Sequence, residues 1–208
     1  MKKLILGLAV TASSLAFAQK TTSSSNPVTF GVKGGMNVSS LSKDEGLDDQ
    51  KSKIGFNAGV FANIPVAESF SVQPELLYSQ YGAKSEYTGF GSKFSSSTKL
   101  DYITVPVMLQ YNLIPNLYVE AGPEFGFMVS AKNKIKNENN GDSTTSDNYK
   151  DDLKTFNFGI GLGAGYYFTP NFGITARYVA GLTDTFKDNS GDAIRNNVFQ
   201  VGLAYKFK

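Results

Sequence analysis

Bulky apolar residues occupy every other position in eight stretches of the chain. The run 156–168 is the clearest example, because apolar or aromatic side chains stand at its even positions while Asn157 and four glycines fill most of the odd ones. A period of two is typical of a β-strand with one bulky face and one nearly bare face. The eight stretches cover residues 28–39, 54–64, 70–82, 100–111, 117–131, 156–168, 172–183 and 197–208. The pattern predicts an all-β protein.

The same run offers a second interpretation. Gly159, Gly161 and Ala164 fit the G-x-G-x-x-A pattern of a dinucleotide-binding turn. That turn requires a helix to open directly after it. The residues that follow, 165–170, read GYYFTP, which are poor helix formers and end in a turn signal. We therefore favour one long strand over a phosphate-binding turn.

The connections between the stretches alternate in length. Three are tight Pro/Asn turns, "PVAES", "LIPN" and "TPN". Four are long and polar, covering about residues 40–53, 83–99, 132–152 and 184–196, and they hold most of the charged residues. Short turns at one end and long polar loops at the other are typical of transmembrane barrels. The even number of strands places both termini at the short-turn end.

A soluble lipocalin-like barrel or β-sandwich is the alternative fold. Either would bury the bulky face and show a face rich in Lys, Glu and Thr to water. Here the second face is mostly Gly, Asn and Ser, which suit the interior of a narrow cylinder. Bulky residues then face lipid. The sequence therefore predicts an eight-stranded antiparallel up-and-down transmembrane β-barrel.

The N-terminus predicts export. Lys2 and Lys3 precede an apolar run that ends in an A-x-A cleavage pattern at residues 16–18. The run is too short to anchor the chain as a membrane helix. We expect cleavage after Ala18, a short periplasmic linker over residues 19–27, and a barrel over residues 28–208 in the outer membrane of a Gram-negative cell.

Composition excludes several kinds of chemistry. The chain has no Cys and no His, so it lacks a thiol nucleophile, a Ser-His-Asp triad and imidazole or thiolate metal ligands. Removing the two signal lysines leaves 20 − 2 = 18 basic residues against 18 acidic ones. That balance, without a basic cluster among aromatics, argues against nucleic acid as a partner. We expect no cofactor.

Several quoted segments together resemble a known family. "FGVKGGMN", "SVQPELLYSQYG", "LDYITVPVMLQY", "LYVEAGPEFGFM" and "FNFGIGLGAGYYFTPNFGITARY" are similar in order and spacing to the PorT-like outer-membrane β-barrel domain family, often called porin family protein. The resemblance implies an outer-membrane location and an eight-stranded barrel. It does not imply a single activity, although the namesake is associated with protein secretion to the cell surface.

The last strand also resembles the C-terminal signal that the barrel-assembly machinery reads. That signal combines a polar residue, a glycine two positions later and two aromatic or apolar positions, which Gln200, Gly202, Tyr205 and Phe207 match. The resemblance implies that this machinery is a partner during biogenesis.

The few charges on the bare face are candidate site residues. They are Lys33, Glu75, Glu120, Glu124 and Arg177. Counted from the short-turn end, Lys33, Glu75 and Arg177 share a layer in the lower half of the barrel. Because unpaired buried charges are unfavourable, we predict that Arg177 pairs with Glu75 or Glu120. The cluster is either a salt-bridged plug, which we favour, or an ion-selective constriction.

Other features carry weaker hypotheses. Glu120 and Glu124 have the spacing of a carboxylate pair, but a narrow lumen offers no cleft for a glycosidase substrate, so we expect no enzyme.

Pro74, Pro106 and Pro123 predict β-bulges, with a protein-docking seam as the alternative. The acidic loops "SKDEGLDD" and "NENNGDSTTSDNYKDD" could hold a cation or contact lipopolysaccharide, but a solvated loop is favoured.

The favoured function is a structural or surface-interaction role carried by the four long loops. The alternatives are a narrow passive pore for small solutes and an accessory component of a secretion system. Expected partners are outer-membrane lipids and lipopolysaccharide, and we expect a monomer.

Overall fold

The computed structural model describes residues 27–42, 50–89, 92–137, 143–146, 149–187, 191 and 193–207. The predicted signal peptide and residues 19–26 of the predicted linker lie outside these ranges. The strands are β1 Thr29–Leu41, β2 Gln50–Pro65, β3 Phe70–Gly89, β4 Ser92–Ile114, β5 Leu117–Asn137, β6 Ser143–Ser146, β7 Phe156–Tyr167, β8 Phe172–Gly181 and β9 Asn196–Lys206. A short 3-10 turn covers Tyr149–Asp152. Within these ranges, no helix has the length and apolar character needed to cross a bilayer.

Eight of the strands form a closed antiparallel barrel. Each pairs with its neighbour along the chain, and β9 pairs with β1 to close the cylinder. β6 lies outside the barrel and pairs with the outer part of β5. This confirms the predicted up-and-down topology. Closure satisfies the backbone polar groups within the barrel, as a bilayer requires.

The two faces have the predicted inside-out distribution. The bulky residues point outward, where Leu162 is 66% exposed and Phe30 is 61% exposed. Charged residues point inward, and Arg177 is only 1% exposed. Outward aromatic rings pack at two levels, with Phe70–Tyr111 and Phe172–Tyr205 pairs near the short turns and Phe56–Tyr78 and Phe127–Phe156 pairs near the opposite end. These two levels match the interfacial girdles of membrane barrels.

Four strands, β2 to β5, are longer at the long-loop end than the sequence indicated. The predicted loop 83–99 is mostly a hairpin, in which β3 and β4 remain paired from Ala83↔Thr98 to Gly89↔Ser92. β5 likewise continues to Asn137. Beyond the bilayer neither face of such a strand needs to be apolar, so the period of two fades there. These strand extensions project from the end with the long loops.

The predicted proline bulges are wrong. The pairs Pro74↔Val107, Pro106↔Glu124 and Pro123↔Ile160 keep the register of their ladders. The register shifts instead lie between Ser52 and Asn57 and between Asp101 and Tyr102, with a third beside the turn at residues 112–114. A proline removes one ladder donor without requiring an inserted residue, and pairing on both sides fixes the register of each strand.

Candidate functional site

Four charged side chains meet in the lower half of the lumen. Arg177 on β8 donates from Nη1 to Glu75 Oε2 at 2.9 Å and from Nη2 to Glu75 Oε1 at 2.7 Å. Its Nε donates to Glu120 Oε1 at 2.7 Å. Lys33 Nζ lies 3.3 Å from Glu75 Oε1. The predicted pairing of Arg177 is confirmed, and it involves both glutamates.

These four residues, which we call the plug, balance their own charges. Lys33 and Arg177 supply two positive charges and Glu75 and Glu120 supply two negative ones. All four are buried. The bidentate contact to Glu75 is the strong geometry for a guanidinium and a carboxylate. Because each of the four charges has an oppositely charged partner, all four can be buried in the lumen without contact with water.

A set of amides surrounds the plug on the side of the short turns. Gln73 Nε2 donates to Glu75 Oε1 at 2.9 Å, and Gln110 Nε2 donates to Glu120 Oε2 at 3.0 Å. Asn63 Nδ2 donates to Gln110 Oε1 at 2.8 Å. The two glutamine bonds satisfy carboxylate lone pairs that the cations leave free, and the Asn63 bond is accepted by the amide oxygen of Gln110. The amides were missed as site residues, although their inward parity in the alternating pattern was a usable signal.

Glu124 stands apart from the plug. Its Oε1 accepts a hydrogen bond from the Tyr81 hydroxyl at 2.6 Å, and its Oε2 has no hydrogen-bond partner among the described residues. It is buried and inward-facing as expected, but the structure places it in the next layer toward the long loops. The structure therefore brings together four of the five predicted lumen residues.

An apolar cluster fills the end of the lumen near the long loops. Leu153, just before β7, and Phe186, just after the neighbouring β8, form an isolated antiparallel bridge. Leu153 is 1% exposed. The cluster, which we call the cap, contains Tyr81, Leu100, Tyr102, Met128, Ala131, Leu153, Val179 and Val198, with Phe186 packed against them. Sequence analysis missed the cap because its loop members lie outside the alternating stretches.

A small vestibule opens at the short-turn end. It has a volume of about 270 Å³ and is lined in part by Tyr118, Tyr167 and Lys206. Lys206 Nζ lies 4.0 Å from the centroid of the Tyr167 ring. Residues that line the vestibule also belong to the layer of amides around the plug. The vestibule therefore ends at the plug.

Glycines on the bare face make room for bulky inward side chains of neighbouring strands. A Cβ on Gly165 would overlap the ring of Tyr118, which stands opposite it. A Cβ on Gly31 would likewise overlap the ring of Phe61. Such pairing of glycine with a cross-strand aromatic ring fills a narrow lumen without separating the strands.

The predicted assembly-signal residues divide between the two faces of β9. Gln200 and Gly202 point inward, and Gly202 stands opposite Gly35 of β1. Tyr205 and Phe207 point outward near the short turns, with ring centroids 5.9 Å apart. Their recognition by an assembly machinery remains a prediction.

The described residues contain no group of three or more Asp, Glu, His or Cys arranged to hold a metal ion. Of the two acidic segments considered for a cation, residues 42–49 and 137–152, the parts 43–49, 138–142 and 147–148 lie outside the described ranges. Glu120 and Glu124 bind different partners inside a filled lumen, so their geometry gives the glycosidase interpretation no support.

A family model and several solved structures are similar to this chain. The model described as outer membrane protein beta-barrel domain matches residues 17–187. The crystal structure of Ail, the attachment invasion locus protein of Yersinia pestis, is 16% identical with a TM-score of 0.49, covering 88% of this chain and 100% of that one. Neisserial surface protein A is 15% identical with a TM-score of 0.48, again covering 88% and 100%.

The outer membrane protein OprG of Pseudomonas aeruginosa is 12% identical with a TM-score of 0.35, covering 86% of this chain and 95% of that one. No curated protein sequence matches. The family match supports an outer-membrane β-barrel, and none of these comparisons singles out the PorT-like branch.

Proposed function

Since the chain belongs to the outer membrane protein beta-barrel domain family, we propose that it is a closed outer-membrane barrel whose role is structural or surface-interacting. The parts that project from the membrane then perform this role, and solutes do not pass through the lumen. The observation that carries the proposal is that the plug and the cap fill the lumen at two separate heights.

The plug is a strong barrier to solutes. Opening it would separate Arg177 from two carboxylates in a buried site, and each separated charge would need a new partner. The amides Gln73 and Gln110 hold the same carboxylates from the side of the vestibule. An eight-stranded barrel is just wide enough for side chains to fill it. The plug therefore fits a structural role better than a gate.

The cap is a second barrier of a different kind. Its apolar side chains pack against one another, and two loops contribute to it. Thr185 N donates to Ile194 O at 2.8 Å, and Lys154 N donates to Thr185 O at 2.9 Å, which holds these loops together. A solute that entered from the cell surface would have to displace apolar side chains before it reached the plug.

A narrow passive pore is the second candidate. One observation favours it: both amide atoms of Gln200, which stands opposite Arg177, and Glu124 Oε2 have no hydrogen-bond partner among the described residues. Buried polar atoms of this kind are ordinarily satisfied by water. An accessory role in a secretion system is a further candidate, and it would appear as specific periplasmic or membrane proteins in a pull-down.

Conductance in planar bilayers separates the closed barrel from the pore. We expect no steady current from the mature wild-type protein. Changing the plug alone (Lys33, Glu75, Glu120 and Arg177 to Ser) or the cap alone (Leu153 and Phe186 to Ser) should leave the lumen blocked by the other barrier. Combining both sets should give a steady current.

Heat-modifiable gel migration verifies that each of these variants is folded before recording. A steady wild-type channel would contradict the closed-lumen proposal and favour the pore. A current from either single set would show that the remaining barrier does not close the lumen.

We also propose that the protein is exported, cleaved after Ala18 and inserted as a monomer by the barrel-assembly machinery. The A-x-A pattern and the residues of β9 support this route. The intact mass of protein purified from outer membranes should equal that of residues 19–208. A mass that retains the first 18 residues would refute the cleavage site, and protein with a mutated Ala16 and Ala18 provides the uncleaved reference.

A further inference from the structure

Three successive ladders of the barrel wall are interrupted beside a proline. Each gap lacks two residue pairs among the described residues: 62/74 and 63/73 between β2 and β3, 75/106 and 76/105 between β3 and β4, and 107/123 and 108/122 between β4 and β5. The prolines in the gaps are Pro74, Pro106 and Pro123. By contrast, the ladders that join β1 to β2, β1 to β9, β5 to β7, β7 to β8 and β8 to β9 are continuous.

The pairing identifies the carbonyl that each proline leaves without a ladder donor. In an antiparallel ladder, the two residues of a hydrogen-bonded pair exchange both of their N–H···O bonds. Pro74 keeps its pair with Val107 on β4, so its nitrogen faces β2 and the backbone carbonyl of Ala62 lacks its donor. The same holds for the backbone carbonyls of Glu75 beside Pro106 and of Val107 beside Pro123.

The three gaps form one continuous line, which we call the seam. On β3, residues 73–74 of the gap toward β2 adjoin residues 75–76 of the gap toward β4. On β4, residues 105–106 and 107–108 adjoin in the same way. Outward side chains at the seam are apolar, and Leu76 is 42% exposed, so the seam lies in the lipid-facing band. Hydrocarbon offers no replacement donor to a free carbonyl, so the seam weakens the wall.

Inward side chains bridge the same three ladders. Asn63 Nδ2 on β2 donates to Ser71 Oγ at 3.0 Å and to Gln73 Oε1 at 3.3 Å, both on β3. Ser71 Oγ donates to Gln110 Oε1 on β4 at 3.4 Å. Gln110 Nε2 in turn donates to Glu120 Oε2 on β5 at 3.0 Å. We call Asn63, Ser71, Gln73 and Gln110 the bridging layer, and its hydrogen bonds cross every interrupted ladder.

The plug joins the strands of the seam to the continuous part of the wall. Its carboxylates belong to β3 and β5, and its cations belong to β1 and β8. Arg177 Nη2 lies 2.7 Å from Glu75 Oε1, and Arg177 Nε lies 2.7 Å from Glu120 Oε1. Lys33 Nζ contacts Glu75 from β1. Movement of β3 or β5 away from the lumen would therefore break buried ion pairs.

We propose that the seam is a lateral opening in the barrel wall that the bridging layer and the plug hold shut. The bridging layer supplies hydrogen bonds between strands where the prolines remove them from the ladders. Opening would separate Asn63, Ser71 and Gln110, which line the vestibule. The vestibule would then be continuous with the periplasmic leaflet of the membrane beside β3 and β4.

Amide hydrogen exchange of the full mature protein in detergent micelles, read residue by residue by NMR, tests the proposal. The seam amides are those of Ala62, Glu75 and Val107, and the reference amides are those of residues 174–178 on β8. In the wild type the seam amides should exchange at least about fivefold faster than the reference, which is the effect of one missing hydrogen bond. Equal exchange rates, after correction for intrinsic rates, would overturn the proposal.

Removing the bridging layer should loosen the seam and leave the opposite wall protected. In the variant Asn63→Leu, Gln110→Met, exchange at the seam amides should rise at least about tenfold, and exchange at residues 174–178 by less than about twofold. Gln200→Met is the matched control, because it removes an inward amide that has no hydrogen-bond partner among the described residues. This control should leave the seam amides unchanged. An equal rise at both walls in the bridging variant would refute a local opening.

Restoring the ladder donors should make the bridging layer dispensable. Adding Pro74→Ala, Pro106→Ala and Pro123→Ala to the bridging variant returns an N–H to each gap, so exchange at the seam amides should fall to within about threefold of the wild type. Pro170→Ala, in the turn between β7 and β8, should give no recovery. If the three alanines restore no protection, the missing donors do not explain the seam and the proposal fails.

Single substitutions provide the same test where the combined variant does not fold, as judged by heat-modifiable migration. Each should slow exchange about fivefold at the amide of its own gap: Pro74→Ala at Ala62, Pro106→Ala at Glu75 and Pro123→Ala at Val107. An equal change at all three amides in each single variant would contradict the separate gaps from which the seam is inferred.

Discussion

Replacing Arg177 by methionine is expected to lower the free energy of unfolding of the barrel by about 3–5 kcal/mol. Arg177 is the cation that neutralises both Glu75 and Glu120, with three hydrogen bonds of 2.7–2.9 Å. Its loss leaves two buried carboxylates with only Lys33 nearby. Urea titration in detergent micelles, read by the mobility of folded and unfolded bands, measures the change.

Arg195 provides a matched control for this substitution. Its side chain is exposed, and Arg195→Met should change the free energy of unfolding by no more than about 0.5 kcal/mol. A value for Arg177→Met within about 1 kcal/mol of the wild type would contradict the plug as a stabilising element.

Removing the whole charge set separates charge pairing from side-chain shape. In the quadruple variant Lys33→Met, Glu75→Gln, Glu120→Gln, Arg177→Met no buried charge of the plug remains. Because replacing a complete buried set is far less damaging than breaking it, more than half of the stability lost in Arg177→Met should return. If the quadruple variant is no more stable than the single one, lost packing and not uncompensated charge explains the effect.

The plug could be found from the sequence because two simple facts coincide there. Strand parity decides which residues point inward. A charged side chain at membrane depth is stable only when it faces the interior of the barrel, because exposure to lipid is unfavourable. Parity and height together placed Lys33, Glu75 and Arg177 in one layer. The choice of partners was harder, since Arg177 and Glu75 are 102 residues apart and meet across the barrel. Only closure through β1 and β9 brings them within reach.

Features that depend on water or on loops were not predictable in the same way. The strand extensions are polar on both sides of much of their length, so no hydrophobic period marks them. Leu153 and Phe186 enter the cap from the segments beside the ends of β7 and β8, and these segments carry no alternating pattern that would mark them. The prolines misled the prediction because a ladder can lose a donor without changing register.

The closing contact between β1 and β9 depends on a pair of opposed glycines. Gly35 stands opposite Gly202, and a Cβ added to Gly35 would lie 2.5 Å from the Cα of Gly202 and overlap the Val201 carbonyl oxygen. These are backbone atoms of the partner strand, so they cannot move aside as a side-chain end would. Relief of the overlap would require the two strands to separate where the barrel closes.

Gly35→Ala should therefore lower the free energy of unfolding by about 2–3 kcal/mol, the range of severe overpacking. The adjacent Gly34→Ala is the matched control. It faces outward, and its added Cβ would meet nothing closer than Asn57 O at 3.6 Å. We expect this change to be neutral or to stabilise by a few tenths of a kcal/mol, because alanine restricts the unfolded chain. Both values come from the same urea titration.

The same urea titration also tests the role of Gly202, one residue of the predicted assembly signal. A Cβ on Gly202 would lie 2.6 Å from Gly34 O and 3.0 Å from the Cα of Gly35, so Gly202→Ala should also destabilise protein refolded without any assembly machinery. That result would make Gly202 a requirement of barrel closure itself. Equal stability of the Gly34 and Gly35 variants would instead show that β1 and β9 can separate enough to admit a methyl group, and the tight closing contact would have to be abandoned.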